Sequence, residues 1–180
     1  GYIKGETKKM NRLIQELLTL ASVEDSESEE KLEIFDLSEN IEGVILPFEA
    51  AAFDKGVTIE QDITPDISFT GNPIDISRMA ETLIENAIGH APSGTAVDVK
   101  LHRSPKHIYF TVGNHGETID PESQKHLFER FYRVDKARNR KEGHFGLGLA
   151  IAKAIVDRHG GNIAVRSENG YTLFTVTFHI

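Results

Sequence analysis

The sequence predicts an α+β fold: a two-layer sandwich of strands covered on one face by helices, preceded by one long helix. Three observations predict it. Residues 2–22 place Ile3, Thr7, Met10, Ile14, Leu17 and Ala21 at alternating steps of four and three, the seam of a coiled coil. The stretch "VEDSESEEK" that follows is acidic, lacks an apolar period and separates that helix from the rest. Beyond it, segments such as "TAVDVKLHRS" and "HIYFTVGN" alternate apolar and polar residues, as half-buried strands do, between segments of helical period.

The elements follow in order. A lone helix of the length of residues 1–23 is marginal in water, so it calls for a partner, either a helix of a dimeric bundle or its own domain against which an ordinary amphipathic helix packs, with Leu13, Leu18 and Leu20 widening its stripe. Residues 24–32 are the hinge, and residues 33–180 form one domain. There "LEIFDL" is a short strand, and Ser38 caps a helix carrying Ile41, Val44, Ile45, Phe48 and Ala52, bent at Pro47. "GVTIEQ" and "ISFT" form a strand pair. Asn72-Pro73 is a cap and first turn for a helix reaching about His90. After the two alternating strands, Asp120-Pro121 starts a helix ending near Tyr132. A further helix runs from about Leu147 to His159 and is stopped by Gly160-Gly161. "NIAVRSENGYTLFTVTFHI" closes as a hairpin with Phe174, Val176, Phe178 and Ile180 on one face.

Composition excludes several classes of function. A net charge of −8 argues against a nucleic-acid surface. No apolar run approaches the roughly 18 residues of a membrane span. No signal peptide is visible, and residue 1 reads as a cut site or an engineered start. There is no cysteine, which fits a reducing compartment and removes thiolate metal sites, and the eight histidines show no HExxH spacing.

Three segments carry chemistry. In "IDISRMAETLIENAIGHA", Ile76, Met79, Ala80, Leu83 and Ala87 make an apolar stripe, while Thr82, Glu85, Asn86, Gly89 and His90 share another face. Asn and Gly are poor helix formers, so that face meets something polar or simply solvent. An Asn carbonyl oxygen suits a hard cation such as phosphate-bound Mg²⁺. "FERFYRVDKARNRKEGHF" concentrates Arg130, Arg133, Lys136, Arg138, Arg140 and Lys141 in an acidic chain, either as a solvated loop or as a lid over phosphates. It runs into Gly143, Gly146 and Gly148 at a helix start, where backbone N–H groups and the dipole favour an anion. In "TVGNHGETID", Asn114 and Gly116 follow a strand and form a turn that presents a polar side chain. GxxxxGK[ST] is absent, and Gly146 and Gly148 lack both the further glycine and the preceding strand of a dinucleotide fingerprint.

Taken in order, these segments resemble the sensor histidine kinases of two-component systems, within the GHKL group of ATPases. "TLIENAIGHA" is similar to the family's N box, and "NHGETI" to its adenine-binding G1 box. "LFERFYRVDKAR" resembles the F box and lid, "GHFGLGLAIAKAIVDRHGG" the G2 box, and "NGYTLFTVTF" the last strand region. "ETKKMNRLIQELLTLASVED" resembles the second helix of the dimerisation and phosphotransfer bundle. The resemblance implies a Bergerat-type ATP site on a mixed sheet, with ATP and Mg²⁺ as cofactors. It implies that Asn86 ligates Mg²⁺, that Asn114 faces the adenine amino group and that Gly116 lets the backbone pass the ring. Arg133 reaches the phosphates, joining Asn86 as a catalytic residue, and Gly146 and Gly148 bring backbone N–H groups to them. His90, Ile119, Phe128, Tyr132, Leu147, Leu149 and Thr172 complete the implied binding set.

It further implies transfer of the γ-phosphoryl group to a bundle histidine, then to the receiver domain of a response regulator. The implied setting is a homodimer held through the helical bundle, in the cytoplasmic portion of a membrane-anchored sensor, with no membrane contact from this chain. No histidine precedes His90, so the phosphoacceptor lies outside this chain. Departures from the family pattern are Asn114 for the usual Asp, Thr118 for a Gly, Thr82 for the first Asn of the N box, and Gly89 for a basic residue. The amide of Asn114 accepts through its oxygen or, if flipped, donates, which would relax selectivity for adenine. A degenerate, non-catalytic nucleotide-binding or dimerisation module is the alternative these departures leave open. Hydrolytic relatives of the gyrase, chaperone or mismatch-repair type would need a glutamate at position 82.

Overall fold

The computed structural model describes residues 2–25, 31–134 and 145–180. Helix α1 (Tyr2–Glu24) leads. It is followed by β1 (Glu33–Asp36), α2 (Leu37–Lys55), β2 (Thr58–Ile63), β3 (Ser68–Gly71) and α3 (Pro73–His90). Then come β4 (Ala96–Arg103), β5 (His107–His115), α4 (Pro121–Gln124), α5 (Gly148–Arg158), β6 (Asn162–Glu168) and β7 (Tyr171–His179). The main sheet has the order β2-β4-β5-β7-β6, with β2 parallel to β4 and every other pair antiparallel. It is therefore mixed. Helices α2, α3 and α5 pack on one of its faces, which gives the expected α+β sandwich.

The two-residue period decides which face is covered. Val97, Val99 and Leu101 of β4, Ile108, Phe110 and Val112 of β5, and Phe174, Val176 and Phe178 of β7 are all buried under the helices. Their neighbours Asp98, Lys100, Thr111 and Thr175 point to the other side, which no helix among the described residues covers. The helices answer with Ile76, Met79, Leu83, Ile84, Ile151 and Ile155, each nearly inaccessible. One contiguous core results.

Several local expectations are corrected. The cap of α2 is Asp36, whose side chain accepts from Glu39 N–H at 3.0 Å. Ser38 is instead buried, donating to Thr64 O at 2.7 Å and accepting from Ile67 N–H at 3.1 Å. α2 continues through Pro47. The segments 58–63 and 68–71 do not pair with each other: β2 joins β4 in parallel, and β3 joins β1 in a separate two-stranded sheet. Asp66, at φ 58°, reverses the chain between them and sends them to different partners. The expected helix from 120 to 132 is one turn long, Pro121–Gln124. Beyond it the backbone bonds close back three residues, as in His126 N–H to Ser123 O and Glu129 N–H to His126 O. Ile180 lies past the end of β7 and is 49% exposed, so it leaves the buried row of Phe174, Val176 and Phe178.

Helix α1 lies against α5 through a different stripe from its seam. Leu20 and Val23 are buried and Leu13 is partly so, whereas Ile3, Met10, Ile14 and Leu17 are exposed. Ion pairs Glu24–Arg130 and Arg12–Glu85, the latter at 3.8 Å, and a hydrogen bond from Arg158 to Ser22 O at 3.3 Å fix its seat.

Candidate functional site

Helix α3 is the spine of the site. Its cap Asn72 accepts from Ile74 N–H and Asp75 N–H at 3.0 and 3.2 Å, and Pro73 supplies the first-turn φ. Thr82, Asn86 and His90 recur every four residues along one stripe. Thr82 donates its hydroxyl to Arg78 O at 2.9 Å, and its methyl lies 3.3 Å from where a side chain on Gly148 would begin. At the far end, His90 O lies 3.1 Å from where a side chain on Gly116 would begin. Asn86 therefore sits midway between the two glycine regions, half-buried, its amide without a hydrogen-bond partner among the described residues.

At the Thr82 end, α5 opens at Gly148, and no side chain among the described residues caps its N-terminus. Leu147, named from the motif, is fully buried in the core, so only its backbone faces the helix start, while Leu149 is half-buried. Gly146 has φ 76°, and a Cβ there would fall 2.8 Å from Tyr132 O and 3.1 Å from Arg133 Cγ. Phe131, itself at φ 62°, donates its N–H to Gly146 O at 3.0 Å. Segment 131–133 is thus laced against 145–147, and the turn between them needs a glycine. Arg133 is held in that lacing. Its Nε and Nη2 are buried and have no hydrogen-bond partner among the described residues. Gly143, Lys136, Arg138, Arg140 and Lys141 fall outside the described residues.

At the His90 end, Asn114 is a strand residue of β5, not part of the turn after it, and is 4% exposed. Its Nδ2 donates to His115 O at 2.9 Å. In this orientation Oδ1 is left as the acceptor, one of the two presentations the sequence allows. Thr172 is Asn114's partner in register on β7, and Ser167 is Thr172's partner on β6. Gly116, at φ 153°, donates its N–H to Gly170 O at 2.9 Å. Ile119 donates its N–H to Ser167 Oγ at 2.9 Å, which ties the loop after β5 to β6. Phe128 packs edge-on against Phe174 with ring centroids 6.1 Å apart, and Tyr132 lies beside His126 at 5.6 Å.

Asn86 and His90 thus share one stripe of α3, with Gly148 near Thr82 at one end, Gly116 near His90 at the other, and Asn114 and Thr172 side by side in the sheet. Sequence reasoning missed Ser167 and Gln124. The Gln124 carboxamide donates to Ile119 O and Ser167 O and accepts from Ser167 N–H, a clamp between segments more than 40 residues apart. It missed His126 too, which bridges Glu129 at 2.7 Å and Glu122 at 3.4 Å and is pushed above the ordinary histidine range, chiefly by the Glu129 bond. No local pattern marks the Ser167–Gln124 clamp, whereas the partners of His126 stand at i−4 and i+3 and are marked by their spacing.

Comparison with known proteins places this geometry. The model of the family described as histidine kinase-, DNA gyrase B-, and HSP90-like ATPase matches residues 71–180. The chain is 33% identical over 172 residues to sensor histidine kinase CusS of Escherichia coli strain K12, covering 96% of this chain and 36% of that protein. It is 35% identical over 175 residues to heme sensor protein HssS of Staphylococcus aureus strain Newman, covering 95% of this chain and 36% of that one. The chain therefore spans just over a third of the length of these two relatives. Its fold matches Acinetobacter baumannii histidine kinase AdeS with a TM-score of 0.81 at 22% identity, over 99% of this chain and 82% of the other. The chain belongs to the histidine kinase-, DNA gyrase B- and HSP90-like ATPase family and carries the catalytic domain of a sensor histidine kinase.

Proposed function

We propose that this chain binds ATP along the inner side of α3 and presents its γ-phosphoryl group to a histidine on a bundle helix outside the chain. The phosphoryl group then passes to an aspartate in the receiver domain of a response regulator. The observation that carries the reading is Arg133. A guanidinium whose Nε and Nη2 are buried and lack partners among the described residues is costly unless an anion completes it, and it lies beside Gly146, near the start of α5, which no described side chain caps. Phosphate oxygens supply that anion, with the N–H groups at Gly146 and Gly148 as further donors. Asn86 and Arg133 are the proposed catalytic pair. Asn114, Gly116, Ile119, Thr172 and His90 would line the base, with Phe128, Tyr132, Leu147 and Leu149 around them.

Mg²⁺ fits this donor set, because it is held by few protein oxygens plus phosphates, and the uncommitted Asn86 amide oxygen would be its protein ligand. When bound, it would neutralise charge on the triphosphate during transfer. The chain's own work is positioning: Arg133 and the α5 backbone orient the phosphates, and the sheet floor orients the base.

Residues 1–23 are read as the second helix of the dimerisation bundle, 24–32 as the hinge, and 33–180 as the catalytic domain. The exposed seam Ile3, Met10, Ile14 and Leu17 supports homodimerisation through that bundle. Among the described residues no helix is long and apolar enough to cross a membrane. The proposed location is the cytoplasmic portion of a membrane-anchored sensor.

Labelled ATP tests the reading. The isolated chain should bind ATP without incorporating phosphate, and adding a first-helix fragment that bears a histidine should produce acid-labile label on that fragment. Stable label on this chain alone, or none on the added fragment, would overturn it.

A further inference from the structure

The main sheet has two edges, and they are finished differently. At β6 the Gln124 carboxamide accepts from Ser167 N–H and donates to Ser167 O, which covers that edge. At β2 nothing among the described residues does the same. Thr58 donates its N–H to Thr95 O at 3.1 Å, and Thr64 donates to Leu101 O at 2.9 Å. In this parallel pair the even-numbered residues of β2 therefore turn both backbone groups to β4. Ile59, Gln61 and Ile63 turn theirs outward, where no described residue bonds to them. A row of open N–H and C=O groups is a template for one more strand.

Helix α2 builds a wall beside that edge. Glu42, Gly43, Leu46 and Glu49 face Gln61 across an open groove of about 360 Å³. Glu42, Leu46, Glu49 and Phe53 fall at steps of four, three and four, so acidic and apolar residues alternate along one stripe of the helix. Leu46 is 67% and Phe53 81% exposed. The polar groups of the wall are acceptors. Glu42 has no partner among the described residues, and Glu49 accepts from Gln61 Nε2 at 3.3 Å. Pro47 has no N–H to return to the Gly43 carbonyl, which adds a third acceptor between the two acids. A Cβ on Gly43 would meet nothing within 4 Å, so the groove is open to the approach of another backbone there.

We infer that this groove takes an extended basic segment of a partner protein, which adds to β2 as a further strand of the main sheet. The segment's backbone bonds to Ile59, Gln61 and Ile63, and its alternate side chains face the α2 wall. Residues on one face of a strand are roughly 6.6 Å apart, and the helix rises by about 6, 4.5 and 6 Å between successive members of the stripe. A face that alternates Lys or Arg with Val or Leu therefore sets its cations on Glu42 and Glu49 and its apolar groups on Leu46 and Phe53. The net charge of −8 favours the same cationic partner. A second copy of this chain fits badly, because pairing β2 with β2 brings two sets of these glutamates together. The groove uses no residue of the proposed nucleotide site, so the two readings stand or fall separately.

The probe is a capped synthetic peptide, Lys-Thr-Val-Thr-Lys-Thr-Val-Thr, with Lys and Val alternating on one face. Titrated into the isotope-labelled full chain, it should shift the amide signals of Ile59, Gln61 and Ile63 and of the α2 stripe, and slow hydrogen exchange at the three edge amides. Reversing both acids, Glu42→Lys with Glu49→Lys, should weaken binding about tenfold, as expected when two exposed ion pairs become repulsive. Gln61→Pro removes the central edge donor and should abolish binding. The charge-reversed chain, altered only at exposed positions, keeps the test valid if proline disturbs the sheet. A peptide with Glu in place of Lys should not bind. No shift at the edge amides would overturn the inference, as would equal affinity for the charge-reversed chain. A concentration-dependent dimer that Gln61→Pro dissolves would assign the edge to a second copy and overturn it too.

Discussion

His159 Nε2 accepts a hydrogen bond from the backbone N–H of Asn72 at 3.1 Å, across 87 residues of sequence. Its other ring nitrogen, Nδ1, donates to Ile155 O at 2.7 Å, so the ring is neutral in this role, with its hydrogen on Nδ1. The end of α5 thereby meets the start of α3. Gly148 at the start of α5 meets Thr82 near the middle of α3. From Asn72 to Thr82 and from Gly148 to His159 the helices rise by about 15 Å each, so contacts at both ends hold them antiparallel and in register. That register brings the open N-terminus of α5 next to the Asn86 stripe.

Replacing this histidine tests the clamp. His159→Phe keeps a ring against Phe69 and Phe178, whose centroids lie 6.1 and 6.4 Å away, but leaves the Asn72 N–H without its acceptor. The expected loss is about 1 kcal/mol of unfolding free energy, because the orphaned donor is only partly buried. Urea denaturation should show a lower midpoint at unchanged slope. An unchanged midpoint would mean that ring packing alone fixes the two helices.

The turns after α4 carry a pH dependence of definite sign. His126 is raised above its ordinary value by bonds to Glu129 and then Glu122. Glu122 is lowered by Lys125 and His126 in turn. A histidine whose folded value is raised stabilises the fold below its unfolded value, and the contribution fades as pH rises through the raised one. The cluster should therefore hold best on the acidic side of the histidine range and loosen on the alkaline side. Proton NMR should find His126 titrating above an ordinary histidine, and Glu129→Gln should bring it down. Titration of His126 at the ordinary position in wild type would show that these exposed pairs form too rarely to matter.

How much of this was written in the chain depends on the distance over which each feature is decided. The α3 cap, the strand alternation and the Gly-rich start of α5 are local, and each appears where its residues predict. The partners of β2 and β3 are not local. Both segments have strand character, and only the turn at Asp66 together with the free edge of β4 decides that they part company. Residues 125–132 have helical composition, yet Leu127 is buried and Phe128 leans on Phe174, so tertiary packing breaks the helix into turns. Gly113 looks like a weak point in a strand until Tyr171 is placed. The tyrosine hydroxyl reaches Asp98 at 2.5 Å by passing 2.0 Å from where a Cβ on Gly113 would stand. The glycine motifs were visible because they are contiguous. Ser167, Gln124 and His159 were not, because each acts through a residue at least 40 positions away.

Asn86 offers a test in which stability and function move in opposite directions. The residue sits in the interior of an 18-residue helix, half-buried, with no hydrogen-bond partner among the described residues. For the helix alone it is a poor choice. Alanine there should stabilise α3 by roughly 0.5 kcal/mol, since asparagine gives up side-chain freedom and competes with the backbone for hydrogen bonds. If the face is only a solvated surface, Asn86→Ala should raise the melting temperature slightly and leave nucleotide binding untouched. If the amide oxygen holds Mg²⁺ on a triphosphate, the same change should still raise the melting temperature of the free chain. It should also abolish the part of ATP affinity that depends on Mg²⁺, leaving binding in EDTA as it was. Asn86→Asp separates geometry from charge: a carboxylate keeps the oxygen, so metal dependence should survive with altered affinity. The measurement is ATP titration with Mg²⁺ and with EDTA for all three proteins, beside their thermal melts. Equal Mg²⁺ dependence in wild type and Asn86→Ala would remove Asn86 from the site and move the metal elsewhere along α3.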